Sequence, residues 1–154
     1  MTSPTPLEVI QLVRSTQLQC RTAILLLNNH YFGRESSLAA QFNLDPVNYA
    51  EWRLGKVKPG QRYLGLSKER LLQEIDEICQ LETPTNALLL FNLDIALAYL
   101  PYLDRGYVWE FLRDSFRKRR KALVITMPAQ ADHLLPDESS RCIWQSGGRL
   151  ASVI

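Results

Sequence analysis

Three short and almost entirely apolar runs constrain the fold of this chain more than any other feature of its sequence. They predict strands at residues 23–27, 87–91 and 122–126, and the segments between them carry apolar residues at helical spacing. Strands without a polar face occur in parallel sheets that helices cover on both sides. The sequence therefore predicts an α/β fold with a mostly parallel sheet of roughly four or five strands.

Length and composition bound the domain organisation. The chain has 154 residues, enough for one domain with a substantial core, and 46% of them are hydrophobic and 22% charged. Its three cysteines lie far apart, which favours reduced thiols over a disulfide framework or a zinc site. No apolar run reaches the roughly 18 residues of a membrane span, and the N-terminus lacks a signal-peptide pattern. We expect a single cytoplasmic domain over residues 1–154, without membrane contact and with flexible ends at about residues 1–5 and 146–154.

Local signals place further elements along the chain. Thr5 predicts the cap of a first helix through a capping box. Another helix is predicted over residues 104–119, with Tyr107 on its apolar face and Trp109 therefore partly exposed. Residues 142–144 predict one more short strand.

Residues 22–42 follow the strand–loop–helix layout of a phosphate-binding P-loop. The pattern GxxxxGK[ST] uses glycine for close backbone approach to phosphate, lysine to neutralise charge and a hydroxyl to hold Mg²⁺. The best register here places Asn28 and Gly33 at the two glycine positions, because asparagine tolerates a positive φ. Arg34 then stands at the lysine position as a fork-shaped cation, and Glu35 replaces the hydroxyl. The layout of a P-loop is therefore present without its usual lysine and hydroxyl.

Glu35 is the departure with the largest expected consequence. A carboxylate in the first helical turn compensates the helix dipole, which a bound phosphate otherwise does, and it also repels phosphate. Shifting the register by one residue restores a hydroxyl at Ser36 but loses both Gly33 and the cation. We therefore predict a P-loop NTPase-like three-layer sandwich without a nucleotide cofactor. An atypical nucleotide site and an unrelated fold remain open alternatives.

The predicted strand at residues 87–91 stands where a Walker-B strand would, and such a strand ends in an acid that holds Mg²⁺. Phe91 and Asn92 occupy that end here, and the first acid is Asp94. A phenyl ring cannot hold a metal ion, so we expect Asp94 to be a surface or helix-capping residue. Were ATP and Mg²⁺ to bind in spite of these departures, the expected contacts are Asn28, Gly33, Arg34, Ser36 and Asp94.

Several segments between residues 23 and 133 resemble a known family. They are the first strand with its loop, the connector QRYL at residues 61–64, the strand LLLFNLD at residues 88–94, and the basic FRKRR at residues 116–120. These segments are similar to the small P-loop protein family of BREX phage-exclusion systems, BrxF. The strand of that family reads apolar-Asp-Asn-apolar-Glu, and this chain matches it at Asn92 and Asp94 but has Phe91 in place of the first aspartate. The resemblance implies the architecture and a place in a prokaryotic defence assembly, and the departures argue against ATP hydrolysis.

A strongly basic run precedes the third predicted strand. Its six cations within nine residues are Arg113, Arg117, Lys118, Arg119, Arg120 and Lys121. One interpretation is structural, because cations stabilise the C-terminal end of a helix. The other is a surface that contacts nucleic-acid phosphates or an acidic partner.

Other enzyme classes have little support, because the chain shows no Ser-His-Asp set, paired-carboxylate context or HExxH motif. We therefore favour a non-hydrolysing scaffold or regulatory subunit that works with other protein subunits in a prokaryotic anti-phage system. Two alternatives remain open: a nucleic-acid-binding module that uses residues 113–121, and an atypical ATPase that uses Arg34 and Asp94.

Overall fold

The fold is an α/β arrangement that a computed structural model describes for residues 3–56, 65–117 and 119–153. Its helices and strands in chain order are α1 (Pro6–Arg14), β1 (Thr22–Leu27), α2 (Glu35–Gln41), β2 (Asp45–Asn48), α3 (Tyr49–Leu54), α4 (Lys68–Cys79), β3 (Ala87–Phe91), α5 (Asp94–Tyr99), α6 (Tyr102–Asp114), β4 (Ala122–Pro128), α7 (Glu138–Ser146) and β5 (Leu150–Val153). A 3₁₀ turn at Asn29–Tyr31 lies between β1 and α2. The five strands form one parallel sheet in the order β2-β3-β4-β1-β5.

Helices cover both faces of the sheet, and successive strand residues pack into different cores. Ile24 joins the core on the side of α4 to α7, whereas its neighbour Leu25 joins the core on the side of α1 and α2. Strand β4 alternates in the same way, with Ile125 in the first core and Val124 in the second. Because side chains alternate across a strand, a strand that is covered on both faces must be apolar throughout. The structure is therefore the three-layer α/β sandwich that the apolar runs predict.

Most of the local predictions agree with the structure. The three apolar strands are confirmed as β1, β3 and β4. The capping box is present: the Thr5 hydroxyl accepts a hydrogen bond from the Glu8 N–H, and the Glu8 carboxylate accepts one from the Thr5 N–H.

Two predictions near the C-terminus are wrong. Residues 142–144 belong to α7 and not to a strand, and residues 150–153 form β5 instead of a loose tail. Strand β5 has only four residues and follows two glycines, so no local pattern distinguishes it from a loop. Its place is set by pairing with β1, where Ile24 lies opposite Leu150.

The exposures of Tyr107 and Trp109 in helix α6 are the reverse of those predicted. Trp109 is 1% exposed, whereas Tyr107 is 46% exposed. The Trp109 indole N–H donates a hydrogen bond to the Leu134 carbonyl, and its ring meets that of Trp144 edge-on. The prediction is wrong because it lacks α7, the helix that carries Trp144 and supplies this packing surface.

The described helices are short. The longest of them, α6, has 13 residues. Within the described ranges, no helix is long and apolar enough to cross a lipid bilayer. The QRYL connector and Lys118 lie outside the described residues.

Candidate functional site

A cleft of about 530 Å³ lies at the carboxyl edge of the sheet, where the strands end. The neighbouring strands β1 and β4 are followed by helices on opposite faces, since α2 and α7 pack into different cores. The loops after these two strands therefore diverge, and such a divergence is the usual ligand position in open α/β sheets. The cleft is lined by the ends of β1 to β4, the loop before α2, and the first residues of α2, α3 and α5.

The loop after β1 keeps one P-loop feature, a glycine with a positive φ, but the N–H of this glycine is hydrogen-bonded within the chain. Gly33 has a φ of +80°, a conformation that favours glycine. Its N–H donates a 2.7 Å hydrogen bond to Oε1 of Glu35, a residue that is 9% exposed. A phosphate group held by a P-loop accepts hydrogen bonds from N–H groups of this kind. Here the carboxylate of Glu35 accepts the hydrogen bond from the Gly33 N–H instead.

The other loop residues predicted to hold a nucleotide are divided by the structure. Gly33 and Ser36 line the cleft, whereas Asn28 and Arg34 are not among the residues that line it. Asn28 has a φ of −80° instead of the positive φ suggested by its P-loop register, and its side chain accepts a hydrogen bond from the His30 N–H. The Arg34 guanidinium is 3.4 Å from Nε2 of His30. The candidate cation is thus directed to a neighbouring loop residue.

The end of β3 contributes an amide network where a Walker-B acid would stand. Phe91 lines the cleft and packs against the core below α1 and α2. The Asn92 side-chain N–H₂ donates a 3.0 Å hydrogen bond to Oδ1 of Asn48. That oxygen also accepts from the N–H groups of Ala50 and Glu51, so Asn48 caps α3 while it joins the ends of β2 and β3.

Asp94 is the first residue of α5 and lines the cleft. Within the described chain its carboxylate forms neither a cap hydrogen bond nor an ion pair. Asp94 is partly exposed, which agrees with the expected surface position. Its carboxylate does not cap the helix. The carboxylate is left available to whatever enters the cleft.

A buried polar network fixes α3 beside the cleft. The Tyr49 hydroxyl donates a 2.5 Å hydrogen bond to Oε1 of Glu74, a residue of α4 that is 3% exposed. Nη1 of Arg53 lies 3.0 Å from the same oxygen. Burial, together with the hydrogen bond to Glu74, raises the pKa of Tyr49. The network ties α3 to α4 and so holds Asn48 and Glu51 at the cleft.

The charged groups of the cleft are all acidic among the described residues that line it. They are Glu35, Glu51 and Asp94, and no lysine, arginine or histidine accompanies them. Thr126 adds a hydroxyl from the end of β4. No three His, Cys, Asp or Glu side chains in the described ranges are arranged to hold a metal ion.

The basic run lies at the opposite, amino edge of the sheet, and most of it is not helical. Helix α6 ends at Asp114, so the prediction of a helix through residue 119 is wrong. The chain turns inward at Phe116, which is 1% exposed and contacts the ring of Phe111 edge-on. Burial of this aromatic side chain stops the helix before the cations of the run are reached.

Two members of the run have carboxylate partners. The Arg113 guanidinium pairs with Asp114 at 2.9 Å and donates a further hydrogen bond to the Ser140 hydroxyl. Nε of Arg119 lies 2.8 Å from Asp76, and its guanidinium is 4.0 Å from the centre of the Phe116 ring. Both side chains therefore act within the fold.

The remaining cations of the basic run differ in whether their side chains bond within the fold. Lys121 donates hydrogen bonds to the Thr83 hydroxyl and the Thr85 carbonyl. Arg117 and Arg120 are exposed, and within the described chain neither has an ion-pair partner. Lys118 falls outside the described residues. The predicted six-cation surface is thus reduced to two exposed arginines in the part of the chain that the structure describes.

Two arginines outside the basic run, Arg21 and Arg149, complete the amino edge. Arg21 donates to the main-chain carbonyls of Val13, Arg14, Arg119 and Arg120. Arg149 donates to the carbonyls of Thr22, Leu112 and Arg113, and its guanidinium is 4.6 Å from the Trp144 ring centre. Most of their hydrogen-bond partners are distant in the chain, so the local sequence does not predict these contacts.

The sequence did not predict three polar residues of the cleft: Asn48, Glu51 and Thr126. Thr126 had a readable signal, because a polar residue at the carboxyl end of an apolar parallel strand lies where ligands bind. Asn48 and Glu51 had none, since they reach the cleft through the pairing of β2 with β3.

No protein-family model matches this chain, and no curated protein matches it. Functional conclusions therefore depend on the geometry of the cleft and of the amino edge.

Proposed function

We propose that this protein is a non-hydrolysing, P-loop-like scaffold or regulatory subunit of a multiprotein system. The observation that carries the proposal is the hydrogen bond from the Gly33 N–H to the Glu35 carboxylate. A carboxylate in this place takes a donor that phosphate would need, and its charge repels a triphosphate. Arg34, the candidate counter-charge, lies beside His30 and away from the cleft lining.

The position where the Mg²⁺ ion of a nucleotide complex would bind also departs from a working site. Phe91 stands at the end of β3, where a Walker-B acid would bind Mg²⁺. Asp94 is the nearest candidate, and within the described residues no three ligating side chains converge near it. A triphosphate in this cleft would therefore meet carboxylates without a cation to offset them.

The system that we propose is a prokaryotic anti-phage assembly in the cytoplasm, with other protein subunits as partners. The support is the resemblance to the BREX small P-loop family in the first strand and loop, and in the strand at residues 88–94. The parallel sheet and its cleft agree with that architecture.

Calorimetric titration with ATP and Mg²⁺ at millimolar concentration, beside a phosphate-release assay, tests the proposal. We expect no binding heat, no change in Tm and no turnover. Glu35→Ala and Glu35→Gln form a matched pair, since the first frees the Gly33 N–H and the second keeps an acceptor without the charge. Phosphate-dependent heat that appears in Glu35→Ala alone would support the blocking role of this side chain.

Turnover by the wild-type protein that disappears in Arg34→Ala would overturn the proposal. The atypical ATPase that uses Arg34 and Asp94 would then become the leading function.

A second candidate is nucleic-acid binding at the amino edge. It is favoured by Arg117 and Arg120, whose side chains are exposed near the start of β4. Such a surface would contact the phosphate backbone without reading sequence. Absence of duplex binding at low salt would remove this candidate.

A further inference from the structure

We propose that the cleft at the carboxyl edge binds an organic cation, namely an alkylammonium or alkylguanidinium group. A lysine or arginine side chain of a partner and a free polyamine both present this chemistry. The inference rests on the proposed function and deepens it, because it names what the cleft takes in place of a nucleotide.

The acidic charge of the cleft is not compensated by any described residue that lines it. Glu51 and Asp94 have no side-chain hydrogen bond or ion pair with any described residue. Glu35 uses one oxygen for the Gly33 N–H, and its second oxygen has no partner in the described chain. Carboxylates that share a concave site raise the local concentration of cations, and the low-dielectric walls strengthen the attraction.

Thr126 provides an observation that does not depend on the acids. This residue is 3% exposed and lines the cleft, yet its hydroxyl forms no hydrogen bond with any described residue. The oxygen is not one of the fully enclosed polar atoms without a partner in the described chain, so this hydroxyl is open to the cleft that Thr126 lines. A ligand that carries several N–H donors would satisfy this oxygen while it meets the carboxylates.

The side chains that line the cleft favour an organic cation over a metal ion. No three ligating side chains in the described ranges are placed to share one ion. The cleft also has apolar walls from Leu27, Phe91 and Met127. A metal ion gains nothing from such walls, whereas the methylene stem of an alkylammonium or alkylguanidinium group packs against them. Phe32 adds an aromatic ring at the cleft, which favours a cation over a neutral group.

Titrations of the full chain followed by two-dimensional NMR test the inference. The probes are agmatine and spermidine as free cations, and N-acetyl-Gly-Arg-Gly-amide as a side-chain source. The same tripeptide with citrulline in place of arginine is the neutral control. We expect binding of the charged probes, with amide shifts concentrated at Gly33, Asn48, Asp94 and Thr126, and no response to the citrulline peptide.

Variants connect the binding to the cleft. The double change Glu51→Gln with Asp94→Asn should raise the Kd at least tenfold, because it removes two charges and keeps the shapes of the side chains. Thr126→Val, which replaces the hydroxyl by a methyl group, should raise the Kd about threefold. Glu138→Gln on α7 is the matched control, since this exposed carboxylate lies outside the cleft lining, and it should leave the Kd unchanged.

The outcomes test separately whether the cleft binds an organic cation and whether that cation comes from a partner or from a small molecule. Binding of the arginine peptide alone would identify a partner's side chain as the source, and binding of the free cations alone would identify a small molecule. Equal binding of the citrulline peptide, unchanged affinity in the double variant, or shifts outside the cleft would overturn the inference. If neither cations nor ATP bind, the inference fails and the proposed function stands, whereas ATP turnover would overturn the proposed function itself.

Discussion

The two edges of the sheet use their charged side chains in opposite ways. At the amino edge, Arg21 and Arg149 donate four and three hydrogen bonds to main-chain carbonyls. At the carboxyl edge, Glu51 and Asp94 have no side-chain partner in the described chain. The edge with the more conspicuous charge in the sequence is therefore largely structural, and the less conspicuous edge keeps its charges available.

The direction of the helices explains the sign of the charge at each edge. In a parallel α/β sheet the helices run against the strands, so they end at the amino edge and begin at the carboxyl edge. Helix ends leave carbonyls unpaired and favour cations, whereas helix starts leave N–H groups unpaired and favour carboxylates. Arg21 accordingly bonds to the last carbonyls of α1, and Arg149 to those of α6.

The largest expected effect is on the free energy of unfolding, and it tests the structural role of the arginines at the amino edge. Arg149→Leu should lower the free energy of unfolding by about 2–4 kcal/mol, because it leaves three carbonyls without their donor and removes the contact with Trp144. Urea denaturation followed by tryptophan fluorescence measures the change. Arg120→Leu is the control at the same edge, and its exposed side chain should contribute less than about 0.5 kcal/mol. Equal losses in the two variants would contradict the structural role of Arg149.

A smaller effect is expected in nucleic-acid binding at the amino edge. Arg113, Arg119 and Lys121 are engaged within the fold, so Arg117 and Arg120 are the described cations left for phosphate. Two phosphate contacts predict a slope of about −2 for log Kobs against log salt, or roughly a 16-fold loss between 50 and 200 mM.

Fluorescence anisotropy of a labelled duplex measures this slope. Arg117→Glu with Arg120→Glu should abolish the binding, and Asp94→Asn at the other edge should not reduce it. A slope near −5 would break the comparison, because it would require cations now bonded within the fold to contact phosphate.

The smallest effect concerns the network that supports the carboxyl edge. Burial and the hydrogen bond to Glu74 raise the pKa of Tyr49, so the unfolded chain releases this proton at a lower pH than the folded protein does. The resulting stability is complete below a pH of about 10, and it is lost as the pH rises above that value towards the folded pKa. The loss is at most about 1.4 kcal/mol per pH unit.

Urea denaturation at pH 8 to 11 compares the wild type with Tyr49→Phe, which lacks the ionisable group. We expect the wild type to lose stability more steeply than the variant above pH 10. Parallel curves would show that Tyr49 titrates alike in the folded and unfolded states.

The structure also shows which failures of the sequence analysis share a cause. The sequence did not predict helix α7 or the burial of Trp109, because Trp109 packs against residues that are distant in the chain. The basic run was extended as a helix because its local composition favours a helix end, while the burial of Phe116 stops α6 earlier. In each case the burial of one aromatic side chain outweighed a local preference.

The sequence by itself determined the three-layer α/β architecture, the three central strands and the departures from a P-loop. These follow from local periodicity and from the chemistry of single positions, such as Glu35 and Phe91. Only the tertiary structure decided which charges bond within the fold and which remain at the cleft. The reason is distance along the chain: Asn48, Asp94 and Thr126 come from separate elements, and strand pairing brings them to one edge.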